Sequence, residues 1–166
     1  GYAENRDLIF TVSTEKLKNP YVMADELRIR EVLLNIISNA VKFTKDGGTI
    51  SFVAENDPGN DEQHMIVRYR ISDTGIGMSE EFQNRIFDEF SQENDGARTS
   101  YKGTGLGMAI AKRYVDLMGG KIEVSSRQGI GSTFTVEIPL LITEQVRTEA
   151  NEKLRKDMDL HGLHVL

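Results

Sequence analysis

Five polar residues recur along one side of an otherwise apolar segment: Arg28, Glu31, Asn35, Asn39 and Lys42. At 3.6 residues per turn they fall within a roughly 80° stripe of a helix. Val32, Leu33, Ile36, Ile37, Ala40 and Val41 fill much of the remaining circumference, the pattern of a helix buried on most sides. Burying an amide or ammonium without a partner costs on the order of a few kcal/mol, so the stripe faces either water or something polar. A solvated face is the simpler account. Asparagine is a poor helix former, however, and a solvated position more readily holds Glu, Lys or Gln, so the choice of Asn35 and Asn39 points to a use for neutral carbonyl oxygens.

Two glycine loops carry the next chemical signal, DTGIG at 73–77 and GTGLG at 103–107. Glycine lets backbone amides approach an anion closely, and amides clustered at a helix start form a ready phosphate site. Either loop alone reads equally well as a turn. GTGLG lacks the spacing of the dinucleotide fingerprint, and no GxxxxGK[ST] loop is present. Gly119-Gly120-Lys121 has no upstream glycine and reads as a helix stop.

The elements that hold these groups follow from periodicity. DLIFTV (7–12) suits a strand, and Asp25 is a candidate N-cap for a helix reaching about Lys42. TISFVAE (49–55) and MIVRYRISD (65–73) alternate as a hairpin around the turn-rich DPGNDEQ. SEEFQNRIF (79–87) opens with Ser79 and two acidic residues, the signature of a short helix; Phe87 and Phe90, three apart, read as core anchors. SQENDGARTSYK (91–102) has no periodicity and reads as a loop. MAIAKRYVDLM after GTGLG has helical spacing, and KIEVSS and STFTVEIPL form a second hairpin around Gly129-Ile130-Gly131. The order is a mixed α/β arrangement without internal repeat.

Composition bounds the function. The 166 residues suffice for one domain plus tails. A net charge of −6 disfavours nucleic acid as a partner, and no apolar run approaches a membrane span. The absence of cysteine excludes disulfides and thiolate metal sites and is consistent with a reducing, cytoplasmic location.

Taken in order, the asparagine helix, DTGIG, IFDEFSQ, GTGLGMAIAK and GIGSTF resemble the N box, glycine boxes and F box of sensor histidine kinases. The likeness covers roughly residues 8–140 and is to the catalytic, ATP-binding domain, whose Bergerat fold is shared with gyrase, Hsp90 chaperones and mismatch-repair ATPases. It implies an α+β, two-layer sandwich: a mixed, mostly antiparallel sheet packed on about three helices. It also implies that Asn35 and Asn39 offer amide oxygens to Mg²⁺ on ATP, that Lys42 faces the phosphates, and that Asp73 accepts the adenine amino hydrogens. Gly75, Gly77, Gly103, Thr104, Gly105, Leu106 and Gly107 would permit close backbone approach and hinging of a lid, and Thr133 would assist at adenine through water. Where the family often has basic residues before the second glycine box, this chain has Thr99-Ser100-Tyr101-Lys102, which leaves Arg98 or Lys102 as the lid's phosphate contact.

The resembling hydrolases carry a glutamate four residues before the helix asparagine, and that position here is Asn35. An amide cannot take a proton from water, which favours a kinase; Glu31, a further turn back, would serve as base toward an incoming imidazole or pair with Arg28. A hydrolase or serine kinase of the same fold, and an ATP-binding module without catalysis, stay open as alternatives. His64, His161 and His164 are the only histidines and none has an acceptor-site context, so the expected acceptor lies on a separate dimerisation domain. Residues 1–140 are expected to form the catalytic domain. Residues 141–166 read as a charged linker ending in HGLHVL, which resembles the entry to a receiver domain in hybrid kinases.

Overall fold

The computed structural model describes residues 7–18, 21–93 and 105–143. Strands β1 to β6 span Ile9–Lys16, Val22–Met23, Thr49–Pro58, His64–Asp73, Lys121–Arg127 and Gly131–Ile142. Helices α1, α2 and α3 span Glu26–Phe43, Glu80–Gln83 and Gly107–Leu117.

Among the described residues the strands form one sheet in the order β1-β3-β4-β6, with β5 and β2 lying end to end along the far edge of β6. Every pairing is antiparallel except that of β1 with β3. A parallel pair needs a crossover, and the chain makes it through α1. The mixed, mostly antiparallel sheet with helices on one face is therefore the architecture expected from the sequence.

Two periodicities build the core. In the sheet, Ile50, Val67, Ile71, Phe134, Val136 and Ile138 alternate onto one face and are buried. The register sets Phe52 against Ile71 and Ile71 against Phe134, so side chains on that face form continuous rows across the strands. In α1, Ile29, Val32, Ile36 and Ala40 recur every three or four residues, and in α3 Met108, Ala111 and Val115 do the same; both helices press these stripes onto the sheet. The opposite sheet face is polar. There the Arg68 guanidinium reaches Glu137 and Glu55 at 3.1 Å and Asp57 at 2.9 Å, and Glu137 first, then Glu55, raise its pKa above the ordinary arginine value.

Local signals fix the ends of α1. The Asp25 carboxylate accepts the Arg28 N–H at 3.1 Å as N-cap, and the buried Thr44 hydroxyl donates to the Ala40 carbonyl at 2.6 Å where the helix stops. Helix α2 is shorter than the 79–87 expected. Ser79 caps it as anticipated, but after Gln83 the chain tightens into turns, with Arg85 N–H bonded to the Phe82 carbonyl and Asp88 N–H to that of Arg85. Those turns bring Ile86 into the core. The two-residue β2 has no sequence signal of its own. At the other end of the sheet β1 is exposed, with Val12 at 70% accessibility although its register partner is Phe52 of the apolar face.

Ile36 touches no solvent and lies where α1 meets the sheet. Truncation as Ile36→Ala is expected to lower unfolding stability by roughly 2–5 kcal/mol, read from urea denaturation with an unchanged slope.

Candidate functional site

The polar stripe of α1 is the first wall of the site. Asn35 and Asn39 are half-buried, and among the described residues neither carboxamide has a hydrogen-bond partner. Half-buried amides usually find one. Asn39 faces a cleft, and the Asn35 Oδ1 lies against the first residue of α3: a Cβ added to Gly107 would sit 3.3 Å from it. Lys42 is exposed in the last turn of α1. Arg28 pairs with Asp25 at 3.4 Å and lies over the Tyr114 ring at 5.8 Å, so it is not the partner of Glu31, which is exposed.

The DTGIG loop forms the second wall. Asp73 closes β4, and its Oδ1 accepts the Gly75 N–H at 2.8 Å. Ile76 N–H donates to the Phe43 carbonyl at 3.1 Å, tying the loop to the end of α1, and the Ile76 carbonyl accepts the Gly129 N–H at 2.7 Å, tying it to the second hairpin. Gly77 turns the chain at φ +66°, and a side chain there would collide with the Arg127 carbonyl. The cleft enclosed in this way presents Asn39, Asp73 and Ser132 as polar groups, over an apolar floor that includes Phe43, Met78, Ile86 and Phe134. This pairing of an apolar slot with a few polar groups suits a flat, partly polar ligand.

The remaining expected residues divide into three groups. Gly105, Leu106 and Gly107 lead into α3, whose amino end no side chain caps, and Gly105 packs its φ +69° turn against the backbone of Phe90. Arg98, Lys102, Gly103 and Thr104 lie outside the described residues, as do the 91–102 loop beyond Glu93 and the 144–166 segment. Thr133 is not brought to the cleft. It points to the opposite face of β6, where its hydroxyl lies 3.0 Å from that of Ser72.

Ser132 lines the cleft where Thr133 was expected, and the signal for it was in the strand. The apolar residues of STFTVEIPL are Phe134, Val136, Ile138 and Leu140, so even positions face inward and Ser132 shares their side. Phe90 likewise departs from expectation. Phe87 packs on the core, whereas Phe90 is 70% accessible and holds φ 58°, a left-handed conformation unusual for an aromatic residue. The Asp73-bearing cleft and the polar stripe of α1 meet at Asn39.

The profile of the family described as "Histidine kinase-, DNA gyrase B-, and HSP90-like ATPase" matches residues 24–142, and the chain belongs to that family. Hybrid signal transduction histidine kinase B of Dictyostelium discoideum is 43% identical over 71% of this chain. The circadian input-output histidine kinase CikA of Synechococcus elongatus is 41% identical over 86%. The matches span 6% and 18% of those two proteins, so the chain corresponds to a small part of each. Among solved structures, the nucleotide-free catalytic domain of histidine kinase ThkA aligns with a TM-score of 0.62 at 32% identity, covering 80% of both chains. Full-length ShkA in complex with AMPPNP aligns at 0.64 with 34% identity, covering 84% of this chain and 26% of that one.

Gly77→Ala combines a left-handed backbone with a clash against the Arg127 carbonyl. It is expected to lower stability by at least about 1–2 kcal/mol, measured by thermal unfolding.

Proposed function

We propose that this chain is the catalytic domain of a sensor histidine kinase that transfers the γ-phosphoryl group of ATP to a histidine on a separate dimerisation domain. The observation that carries the proposal is the pair of half-buried amides one turn apart, Asn35 and Asn39, without hydrogen-bond partners among the described residues, with Asn39 lining the Asp73 cleft. Neutral oxygens suit a small hard cation that keeps several waters and takes other ligands from phosphates, so Asn35 and Asn39 fit Mg²⁺ held jointly with ATP. When bound, Mg²⁺ supplies charge neutralisation to the phosphates.

The chain's own residues have distinct tasks in this proposal. Asp73 accepts hydrogens from the adenine amino group, with Ser132 beside it, and the apolar floor holds the purine ring. Lys42 and the uncapped amino end of α3, with Gly103, Gly105 and Gly107, receive the phosphates, and Arg98 or Lys102 completes the contact from the lid. A histidine nitrogen then attacks the γ-phosphorus while the bond to the β–γ bridging oxygen breaks and ADP leaves. Glu31, exposed one turn before Asn35, is the group we assign to take the imidazole proton.

Asn35 supports a kinase over a hydrolase, because no carboxylate at that position can orient an attacking water. The names of the hybrid kinases among the relatives support a receiver domain entered through the HGLHVL segment at 161–166, and with it we propose a cytoplasmic setting. No described helix is long and apolar enough to cross a membrane.

Calorimetric titration with AMPPNP tests the site: Mg²⁺-dependent binding is expected, weakened tenfold or more, or about 1.4 kcal/mol, by Asn39→Ala and by Asn39→Asp. Equal affinity in both variants would overturn the assignment. Incubation of the chain and ATP with a histidine-bearing dimerisation domain should yield acid-labile phosphate; phosphate on serine, or release to water at about one per second or more, would favour the alternatives.

A further inference from the structure

The cleft wall opposite α1 is set by a hydroxyl relay. Gln83 of α2 holds both backbone groups of Ser126 on the open edge of β5: the Ser126 N–H donates to Gln83 Oε1 and Gln83 Nε2 donates to the Ser126 carbonyl, each at 2.9 Å. The side-chain amide stands in for a strand partner and holds Ser126 in place.

The Ser126 hydroxyl sits among three groups. It accepts the Met78 N–H at 2.8 Å, it donates to the Gly131 carbonyl at 3.0 Å, and it lies 2.7 Å from the Ser132 hydroxyl. A hydroxyl has one proton and two lone pairs. The Gly131 carbonyl can only accept and the Met78 amide can only donate, so the proton of Ser126 and one of its lone pairs are committed. What remains for Ser132 is the second lone pair. Ser132 must therefore donate to Ser126 and can offer only lone pairs elsewhere. Ser132 is 7% exposed and lines the cleft beside the Asp73 carboxylate, which also accepts. The wall thus presents acceptors on both residues.

We infer that Ser126 is a specificity-determining positioning residue: by taking the Ser132 proton it fixes an acceptor wall that admits 6-aminopurine nucleotides and rejects 6-oxopurine nucleotides. The inference rests on the ATP reading of the cleft and deepens it. An amino group at purine C6 meets the wall with hydrogens, directly or through water. A carbonyl oxygen there meets lone pairs with no proton between them, leaving buried acceptors unsatisfied.

ATP and inosine triphosphate, which carries a carbonyl in place of the amino group, separate these outcomes when each is titrated with Mg²⁺ into the 166-residue chain. Wild type should prefer ATP. In Ser126→Ala the Ser132 proton is released to turn into the cleft, so the ATP to inosine triphosphate affinity ratio should fall about tenfold, chiefly through a gain by inosine triphosphate. Ser132→Ala, which leaves the Ser126 contacts to Met78 and Gly131 intact, should also lower the ratio and decides the matter if Ser126→Ala does not fold. Ser125→Ala, on the other face of β5, should leave it unchanged. A wild-type ratio in both Ser126→Ala and Ser132→Ala, whatever happens to their melting temperatures, overturns the inference alone. Binding of neither nucleotide by wild type overturns the ATP reading and this inference together.

Discussion

The demand on α1 is that one helix satisfy two opposite environments. Its Ile29, Val32, Ile36 and Ala40 stripe must lie flat on the sheet, and this fixes the rotation of the helix about its axis to within a few tens of degrees. With that rotation set, the Cα–Cβ directions of Asn35 and Asn39 are set too, toward the cleft side of the helix. Their positions relative to Asp73 are thus decided by apolar packing, not by any contact the amides make. The loop hydrogen bond from Ile76 to the Phe43 carbonyl extends the same control, because it hangs the DTGIG turn on the end of the packed helix.

The second hairpin supplies the complementary wall by a different kind of force. Strand β6 is paired along both edges, to β4 over most of its length and to β5 then β2 on the other side. Ser132 sits near its start, where directional bonds dominate: the Gln83 clasp, the serine pair and the Gly129 link to Ile76. The cleft therefore has one wall positioned by non-directional burial and one by geometry-specific hydrogen bonding. The apolar side tolerates substitutions of similar volume, whereas the hydrogen-bonded side depends on the identity of single atoms.

Much of this was legible in the amino-acid sequence, and the exceptions have physical causes. Long periodic elements such as α1, β3 and β4 announced themselves because their apolar positions repeat often enough to define a face. Helix α2 was overestimated because the Ser79 cap and the acidic first turn specify where a helix starts, while its end depends on Gln83 being drawn to a residue 43 positions away. Strand β2 exists only through its partner on β6, and the parallel pairing of β1 is a property of topology that no local pattern encodes. Ser132 was knowable from strand parity. Phe90 was not, since its outward, left-handed conformation arises where its backbone meets the turn at Gly105. The basic residues assigned to the lid lie outside the described structure and rest on sequence alone.

Strand β1 has a colloidal consequence. Among the described residues nothing pairs with its outer edge, and Ile9, Phe10 and Val12 are more than half exposed there. An extended apolar segment with open backbone donors and acceptors is a template for the same segment of another molecule. Glu15 and Lys16 charge only its far end. At high protein concentration this edge is the part of the described structure on which self-association would nucleate, and it lies only two strands from the cleft, since Phe10 pairs with Ile50 and Ile50 with Asp73.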